Sequence, residues 1–129
     1  MALLECKNLC VGYSSKTVRE NLNFCIEKGD YFFIVGENGS GKSTLMKAVL
    51  KFINPLFGEI IYSPEWNTKG LGYLPQTSEI TEKMNQILKE LNEQGLTIIT
   101  ISHDREAAEK YGTKILKLGE NPELVEAAK

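Results

Sequence analysis

Apolar and polar residues alternate along the first part of the chain. This alternation predicts short, half-buried strands at Leu3–Cys10 and Leu22–Ile26. Tyr31–Val35 is instead a continuous β-branched and aromatic run, which is typical of a buried strand. Two shorter runs next to glycine or proline predict further strands at Glu59–Tyr62 and Leu71–Leu74.

Two segments repeat apolar residues with the period of a helix. Ser43–Phe52 carries one apolar face, and Glu79–Gln94 has the clearest helical pattern of the chain. Gly95 follows the second segment and is expected to cap it. The apolar positions are Leu45, Met46, Val49 and Leu50 in the first segment, and Ile80, Met84, Ile87, Leu88 and Leu91 in the second.

The last part of the chain continues to alternate strand and helix. Leu96–Ile101 is an apolar, β-branched run, as expected of a strand covered on both faces. Asp104 is placed to N-cap a short helix that ends near Gly112, and Ile115–Leu118 predicts a last strand. Such alternation indicates an α/β fold, in which a helix as long as Glu79–Gln94 joins parallel neighbours.

Size and composition point to one soluble domain spanning residues 1–129. The formal net charge of -2 gives no electrostatic reason to expect a nucleic-acid partner. No apolar run approaches the ~20 residues that span a bilayer, and the N-terminus has no signal-peptide core. Cys6, Cys10 and Cys25 lack metal-ligand spacing, so buried reduced thiols are favoured over a disulfide or a metal site.

A glycine-rich loop between the Tyr31–Val35 strand and the following helix matches the phosphate-binding pattern G-x-x-x-x-G-K-[ST]. Its glycines let the backbone curl and bring several N–H groups close to phosphate oxygens, and the helix adds its positive dipole end. The alternative is a glycine-rich turn that matches by chance. The candidate nucleotide-binding residues of this loop are Gly36, Asn38, Gly39, Ser40, Gly41, Lys42, Ser43 and Thr44.

Three side chains of this loop have distinct expected roles. Lys42 is expected to reach the β- and γ-phosphates of a nucleoside triphosphate. The Ser43 hydroxyl is expected to ligate Mg²⁺, and Thr44 to donate a hydrogen bond to the α-phosphate. The loop therefore predicts binding of ATP or a similar triphosphate with Mg²⁺.

Residues well beyond this loop resemble the nucleotide-binding subunits of ABC transporters, and the sequence is most similar to the subunits of metal-ion importers. Val11-Gly12-Tyr13 resembles the A-loop, which implies that Tyr13 stacks on adenine. Leu74-Pro75-Gln76 resembles the Q-loop, which implies that Gln76 approaches Mg²⁺ and the attacking water. Ser102-His103-Asp104 resembles the H-loop, which implies that His103 contacts the γ-phosphate. Each has a plainer alternative: a surface aromatic, a loop polar residue and a solvent-exposed histidine.

The resemblance implies a P-loop NTPase-like fold, with a mostly parallel sheet flanked by helices and a short antiparallel β portion at the N-terminus. It also shows a large departure. In the family, a helical subdomain with the LSGGQ signature and then the Walker B strand follow the Q-loop, whereas here Gln76 is followed almost directly by the Glu79–Gln94 helix. The only aspartates are Asp30 and Asp104, and no Asp-Glu pair ends a hydrophobic strand.

Loss of these parts implies an ATP-binding domain whose hydrolysis is weak or absent, because several charge-stabilising groups are missing together. Without the signature, the family's ATP-sandwich dimer is not expected, and docking on a membrane permease lacks one of its surfaces. The resemblance places the protein in the cytoplasm or at the inner face of a membrane. Two alternatives stay open: an ATPase that uses Asp104 or a partner's carboxylate, and a structural module with a vestigial loop.

The shortened chain also makes a topological prediction. In the family, the Walker B strand lies between the Q-loop strand and the H-loop strand. We expect the sheet to close over its loss, so that Leu71–Leu74 pairs directly with Leu96–Ile101. Unpaired edges left inside the sheet would otherwise invite dimerisation or aggregation.

Overall fold

The computed structural model describes residues 2–13, 16–37, 39–64, 66, 71–74, 82–102, 105–119 and 122–126. Side chains are described for these residues except Ala2, Leu71–Leu74 and residues 82–85. The statements below concern these parts of the chain.

An antiparallel sheet forms the N-terminal part of the protein. Strands β1 (Ala2–Tyr13) and β2 (Lys16–Glu27) pair as a long hairpin, and β4 (Phe57–Tyr62) pairs with the other edge of β1. All three strands were predicted, although β1 and β2 extend further than the alternation suggested. The N-terminal antiparallel portion implied by the resemblance is therefore confirmed.

A second, mostly parallel sheet carries the glycine-rich loop at one end of its central strand. Its order is β5-β6-β3-β7-β8, and only β8 is antiparallel to its neighbour. The strands are β3 (Tyr31–Val35), β5 (Leu71–Leu74), β6 (Thr97–Ser102), β7 (Lys114–Lys117) and β8 (Glu123–Glu126). Strand β8 was not predicted.

The sheet closes over the shortened segment as expected. Strand β5 pairs in parallel with β6, with Leu71 opposite Thr97 and Leu74 opposite Thr100. Helix α2 (Glu82–Glu93) makes the crossover between them. The predicted helix began at Glu79, but residues 79–81 lie outside the described part of the chain. The βαβ unit therefore joins without an intervening strand.

Two apolar clusters cover the two faces of the parallel sheet, and β3 contributes to both. Phe32 and Ile34 pack with the antiparallel sheet and with helix α1 (Lys42–Val49), whereas Tyr31, Phe33 and Val35 pack against α3 (Arg105–Tyr111). Each of these β3 side chains is at most 2% exposed. The continuous apolar run is thus explained by burial on both faces.

Helix α1 ends earlier than its apolar pattern predicted. Its extension to Phe52 was wrong because Lys51 adopts a left-handed conformation with φ of 67°. The Phe52 amide donates to the Lys47 carbonyl at 2.8 Å, and the Lys51 amide donates to the Ala48 carbonyl at 3.1 Å. These two bonds form a Schellman motif without the usual glycine.

Helix α2 ends with the same motif, this time at the predicted glycine. Gly95 has φ of 109°, and its amide donates to the Asn92 carbonyl at 2.9 Å. The Leu96 amide donates to the Leu91 carbonyl at 3.1 Å. The predicted cap at Gly95 is therefore confirmed.

A polar network ties together the amino ends of β3 and β7, opposite the glycine-rich loop. The buried Lys114 ammonium lies 3.2 Å from an Asp30 carboxylate oxygen and 3.7 Å from a Glu27 carboxylate oxygen. The Thr113 hydroxyl donates to the other Asp30 oxygen at 3.0 Å. Asp30 is therefore committed to a structural role at the end of the sheet away from the loop.

Candidate phosphate-binding site

The loop between β3 and α1 has the backbone conformation that its glycines allow. Gly39 and Gly41 have φ of 83° and 99°, in the left-handed region that favours glycine. The Ser40 amide donates to the Glu37 carbonyl at 3.1 Å, and the Leu45 amide to the Gly41 carbonyl at 2.9 Å, where the helix begins. The loop therefore turns directly into the N-terminus of α1, which favours anions.

Close packing leaves no room for larger residues at two of the loop glycines. A Cβ on Gly36 would lie 2.6 Å from the Ser40 Oγ and 3.1 Å from the Leu118 carbonyl oxygen. A Cβ on Gly41 would lie 2.6 Å from the Arg19 Cγ. The loop is held between β2 and the chain that follows β7.

Lys42 is buried at the centre of this loop. Its side chain is 3% exposed, and its Nζ donates a hydrogen bond to the Gly36 carbonyl. Burial lowers the pKa of the Lys42 ammonium because the charged form loses hydration. A bound anion would offset that loss, so the lysine is placed to favour a phosphate group over water.

The Ser40 hydroxyl is a further polar group that has no partner among the described residues. Its Oγ is buried and makes no hydrogen bond within the described chain. A buried hydroxyl without a partner costs about 1–3 kcal/mol, and a ligand oxygen could remove that cost. Together with the left-handed glycines and the buried ammonium, this orphaned hydroxyl fits a phosphate group in the loop.

The two hydroxyl side chains at the start of α1 differ in their exposure to solvent. Ser43 is exposed. Thr44 is buried, and its hydroxyl donates to the Tyr13 phenol oxygen at 3.4 Å. The structure thus brings Tyr13, at the end of β1, next to the first turn of α1, and its stacking on adenine stays a prediction.

Tyr13 lies beside α1 with much of its side chain exposed. Its side chain is 45% exposed, and the Lys47 Nζ lies 3.4 Å from its oxygen and 5.7 Å from its ring centroid. The hydrogen bond from Thr44 lowers the pKa of the Tyr13 phenol most, and the hydrogen bond from Lys47 lowers it further. An exposed ring held at its edge offers a face on which a flat heterocycle can stack.

Asn38, Gln76 and His103 lie outside the described residues, so their predicted roles stay predictions. Their described neighbours belong to strands of the same parallel sheet. Ser102, directly before His103, pairs with Val35, the last residue of β3 before the loop. Leu74, the last residue of β5, precedes Gln76 by two positions. The carboxyl ends of parallel strands meet at one edge of a sheet, where ligands bind in this fold class.

Two basic residues near the loop were missed in the sequence. Arg19 packs against Gly41 and donates to the Gly119 carbonyl at 2.7 Å, which joins β2 to the chain after β7. Only the hairpin register, which places Arg19 opposite Val11, could have revealed it. Lys47 follows Thr44 by three positions on α1, so helical spacing alone would have placed it beside Thr44.

A separate cavity of about 370 Å³ lies at the other end of α1. It is bounded by the last turn of the helix, the segment that follows and β4. Its lining residues are Ala48, Lys51, Ile53, Asn54, Pro55, Gly58, Glu59, Ile60 and Tyr62. None of the predicted site residues that the structure describes lines it.

Comparison with known proteins identifies the family to which these features belong. The ABC transporter family model matches residues 19–125. The chain is 32% identical over 114 residues to the zinc import ATP-binding protein ZnuC of Pasteurella multocida, a match that covers 80% of this chain and 42% of the relative. It is 38% identical over 82 residues to ZnuC of Haemophilus ducreyi, covering 64% of this chain and 30% of that relative.

Solved structures share the fold. The dimeric structure of MJ0796, a bacterial ABC transporter cassette, superposes with a TM-score of 0.77 at 16% sequence identity, covering 98% of this chain and 99% of that chain. The predicted fold class is therefore confirmed. The chain spans about a third of the length of the curated relatives it matches. In the described part of the chain, no helix is long and apolar enough to cross a membrane.

Proposed function

This chain belongs to the ABC transporter family, and on that premise we propose that it forms one shortened domain, residues 1–129, that binds ATP with Mg²⁺. The triphosphate lies in the loop formed by Gly36, Asn38, Gly39, Ser40, Gly41, Lys42, Ser43 and Thr44. The adenine stacks on Tyr13. Gln76 and His103 complete the site from the neighbouring strands.

The observation that carries this proposal is the buried, polar interior of the loop. The Lys42 ammonium is 3% exposed and has the Gly36 carbonyl as a neutral partner, and the Ser40 hydroxyl has none among the described residues. An ammonium buried without a counter-ion is costly, and an anionic ligand relieves that cost. The dipole of α1 adds to the same preference.

The position of Tyr13 supports an adenine ring next to the phosphates. Its phenol is bonded to Thr44 and Lys47 on α1, so the ring is fixed relative to the loop. Stacking of a base on an aromatic side chain contributes about 1–3 kcal/mol. The side chain is 45% exposed, so part of the ring is accessible for that contact.

Ser43 and Gln76 are proposed to hold the Mg²⁺ that accompanies the triphosphate. The cation would neutralise phosphate charge and bridge phosphate oxygens when bound. Ser43 is exposed in the first turn of α1, which suits an oxygen ligand for a hydrated cation. Gln76 and His103 are also the proposed catalytic side chains, which orient water and contact the γ-phosphate.

We propose that hydrolysis is slow or absent because suitable carboxylates are lacking. Asp30 is bound to Lys114 and Thr113 at the amino end of β3, whereas the loop begins at its carboxyl end. Five residues of strand separate them by roughly 16 Å. Asp104 is then the one remaining aspartate. Loss of one charge-stabilising or water-positioning group costs about 10²- to 10³-fold in rate.

The proposed role in transport is that of the family, limited by the missing helical subdomain. The relatives named above are ATP-binding proteins of zinc import, and we propose a cytoplasmic protein that meets a membrane permease weakly if at all. The helical subdomain that contributes to docking in the family is absent from the sequence between Gln76 and α2. The family's ATP-sandwich dimer is not expected for the same reason.

Nucleotide affinity measured against phosphate-chain length tests the proposed site. With Mg²⁺ present, the Kd should rise from ATP to ADP to AMP, because Lys42 contacts the terminal phosphates. Lys42→Ala should raise the Kd for ATP by about 10²-fold and abolish the dependence on chain length, since a charge-assisted contact is worth about 1.5–3 kcal/mol. The exposed Lys7→Ala is the matched control and should bind as the parent chain does.

Phosphate release under saturating Mg-ATP tests the second half of the proposal. We expect turnover far below the ~1–10³ s⁻¹ of typical enzymes. Turnover in that range that disappears in Asp104→Asn, with ATP binding retained, would show a competent ATPase and contradict the proposal. No nucleotide binding by folded protein would leave the loop as a structural element.

A further inference from the structure

Arg19, on β2, lies against the glycine at which the loop enters α1. A Cβ built on Gly41 would lie 2.6 Å from the Arg19 Cγ and 3.2 Å from its Cδ, so the aliphatic stem packs on this glycine. Gly41 is the N-cap of α1, and the first amides of a helix are donors that hold a bound phosphate. The stem of Arg19 therefore lies beside the part of the loop where an anion is expected.

The guanidinium of Arg19 is bound next to the other end of the loop. Its Nη2 donates to the Gly119 carbonyl at 2.7 Å. The preceding residue, Leu118, donates its amide to the Val35 carbonyl at 2.8 Å, where β3 ends. The Leu118 carbonyl oxygen also lies 3.1 Å from a Cβ built on Gly36. One arginine side chain thus spans from the last glycine of the loop to the chain that packs on its first glycine.

The positive charge of Arg19 has no ionic partner among the described residues. There its guanidinium bonds a neutral carbonyl and pairs with no carboxylate. The guanidinium carbon is three bonds beyond the Cγ that meets Gly41, so the charge lies within the ~10 Å Debye length of an anion held at that glycine. Lys42 supplies one positive charge inside the loop, and the half-buried Arg19 supplies a second at its side.

We propose that Arg19 is a positioning residue of the nucleotide site, which holds the loop at both ends and whose charge attracts the phosphate groups of the nucleotide. This inference rests on the proposed function, since it names a further residue of the same site. Contacts at both ends keep the loop in its folded conformation before the nucleotide arrives, so binding requires less ordering. The charge adds an attraction that depends on ionic strength.

Titration calorimetry of Mg-ATP with variants at position 19 tests the proposal. Arg19→Met keeps the stem on Gly41 and removes the charge, whereas Arg19→Lys keeps both. Arg19→Gln is a second neutral variant in case Arg19→Met loses its fold, which circular dichroism would reveal. At an ionic strength of ~10 mM, the neutral variants should raise the Kd about fivefold, the upper range for a charge that water partly screens. Arg19→Lys should restore the affinity to within about twofold of the parent chain.

Ionic strength separates the effect of the charge from the effect of packing. At ~1 M salt the Debye length falls to ~3 Å, and the Kd values of the neutral variants and the parent chain should converge to within about twofold. A variant that only loosened the loop would lose the same factor at both salt concentrations. Lys28→Met is the matched control, since it removes one positive charge from an exposed position before β3, at the end of the strand away from the loop, and should leave the Kd unchanged.

The possible results separate this inference from the proposed function. A Kd that neither neutral variant changes would overturn the inference and leave the proposed function standing. So would a loss of affinity that persists at ~1 M salt or that Arg19→Lys shares, because packing alone would then explain it. A folded parent chain that binds no Mg-ATP would overturn both.

Discussion

Thr100, in the middle of β6, provides a sharp test of how buried polar groups act in this fold. Its side chain is 1% exposed, and its hydroxyl has no hydrogen-bond partner within the described chain. Valine has nearly the same shape and a higher preference for strands. Thr100→Val should therefore stabilise the protein by removing a hydroxyl that was buried without compensation.

The magnitude follows from the cost of the orphaned group. A buried polar group without a partner costs about 1–3 kcal/mol, and the low end applies to a hydroxyl that has lost one bond with water. We expect a gain of about 1 kcal/mol in the free energy of unfolding. For a domain of this size that corresponds to a rise in Tm of about 4 °C.

Thr97, on the same strand, is the matched control. It is 3% exposed, but its Oγ1 accepts a hydrogen bond from the Gly29 amide at 2.8 Å. Thr97→Val should therefore destabilise by about 1 kcal/mol, because the Gly29 amide loses its partner. Urea unfolding followed by circular dichroism measures both variants. Equal signs for the two substitutions would refute the reasoning.

Three further predictions concern the loop, the polar network and the adenine contact. Gly41→Ala should cost about 1–2 kcal/mol more in urea unfolding than Gly29→Ala: both have positive φ, but only at Gly41 would a Cβ meet another side chain, at 2.6 Å. For Lys114, burial lowers the ammonium pKa, but the Asp30 carboxylate outweighs it and the pKa is raised. The stabilisation of the folded state by the Lys114–Asp30 ion pair should be complete below about pH 10.5 and should be lost as pH rises through the raised pKa. The free energy of unfolding measured against pH should show this step in the parent chain and not in Asp30→Asn. Tyr13→Ala should raise the Kd for ATP about tenfold and Tyr13→Phe much less, since stacking needs the ring and not the hydroxyl; equal losses by titration calorimetry would contradict adenine stacking.

An element could be predicted from the sequence where its buried positions form a clear pattern within a few consecutive residues. Tyr31–Val35 was predicted with its observed ends, because every position of β3 is buried on one face or the other. The predicted end of α1 was wrong because Lys51 adopts a left-handed conformation, which only a Gly or Asn at this position would have indicated. Strand β8 was missed because Glu123–Glu126 has only two apolar residues, and its pairing with β7 depends on long-range backbone hydrogen bonds.

The candidate site was predictable where chemistry requires particular residue types at fixed spacing. The loop from Gly36 to Thr44 is such a case: Gly39 and Gly41 have positive φ and Lys42 is buried, and the roles of the loop residues in nucleotide binding stay predictions. The contact between Tyr13 and Thr44 had no local signal, because β1 and α1 meet only through tertiary packing and the two residues are 31 positions apart. Arg19 had no local signal, since its role depends on packing between β2 and the loop.

The most direct test of the central claim is a map of amide chemical shifts on titration with Mg-ATP. The account predicts saturable changes that are largest for Gly36–Thr44 and for the backbone around Tyr13, and that vanish in Lys42→Ala. Changes confined to the cavity at the far end of α1, or none in a protein whose spectrum shows it to be folded, would contradict it.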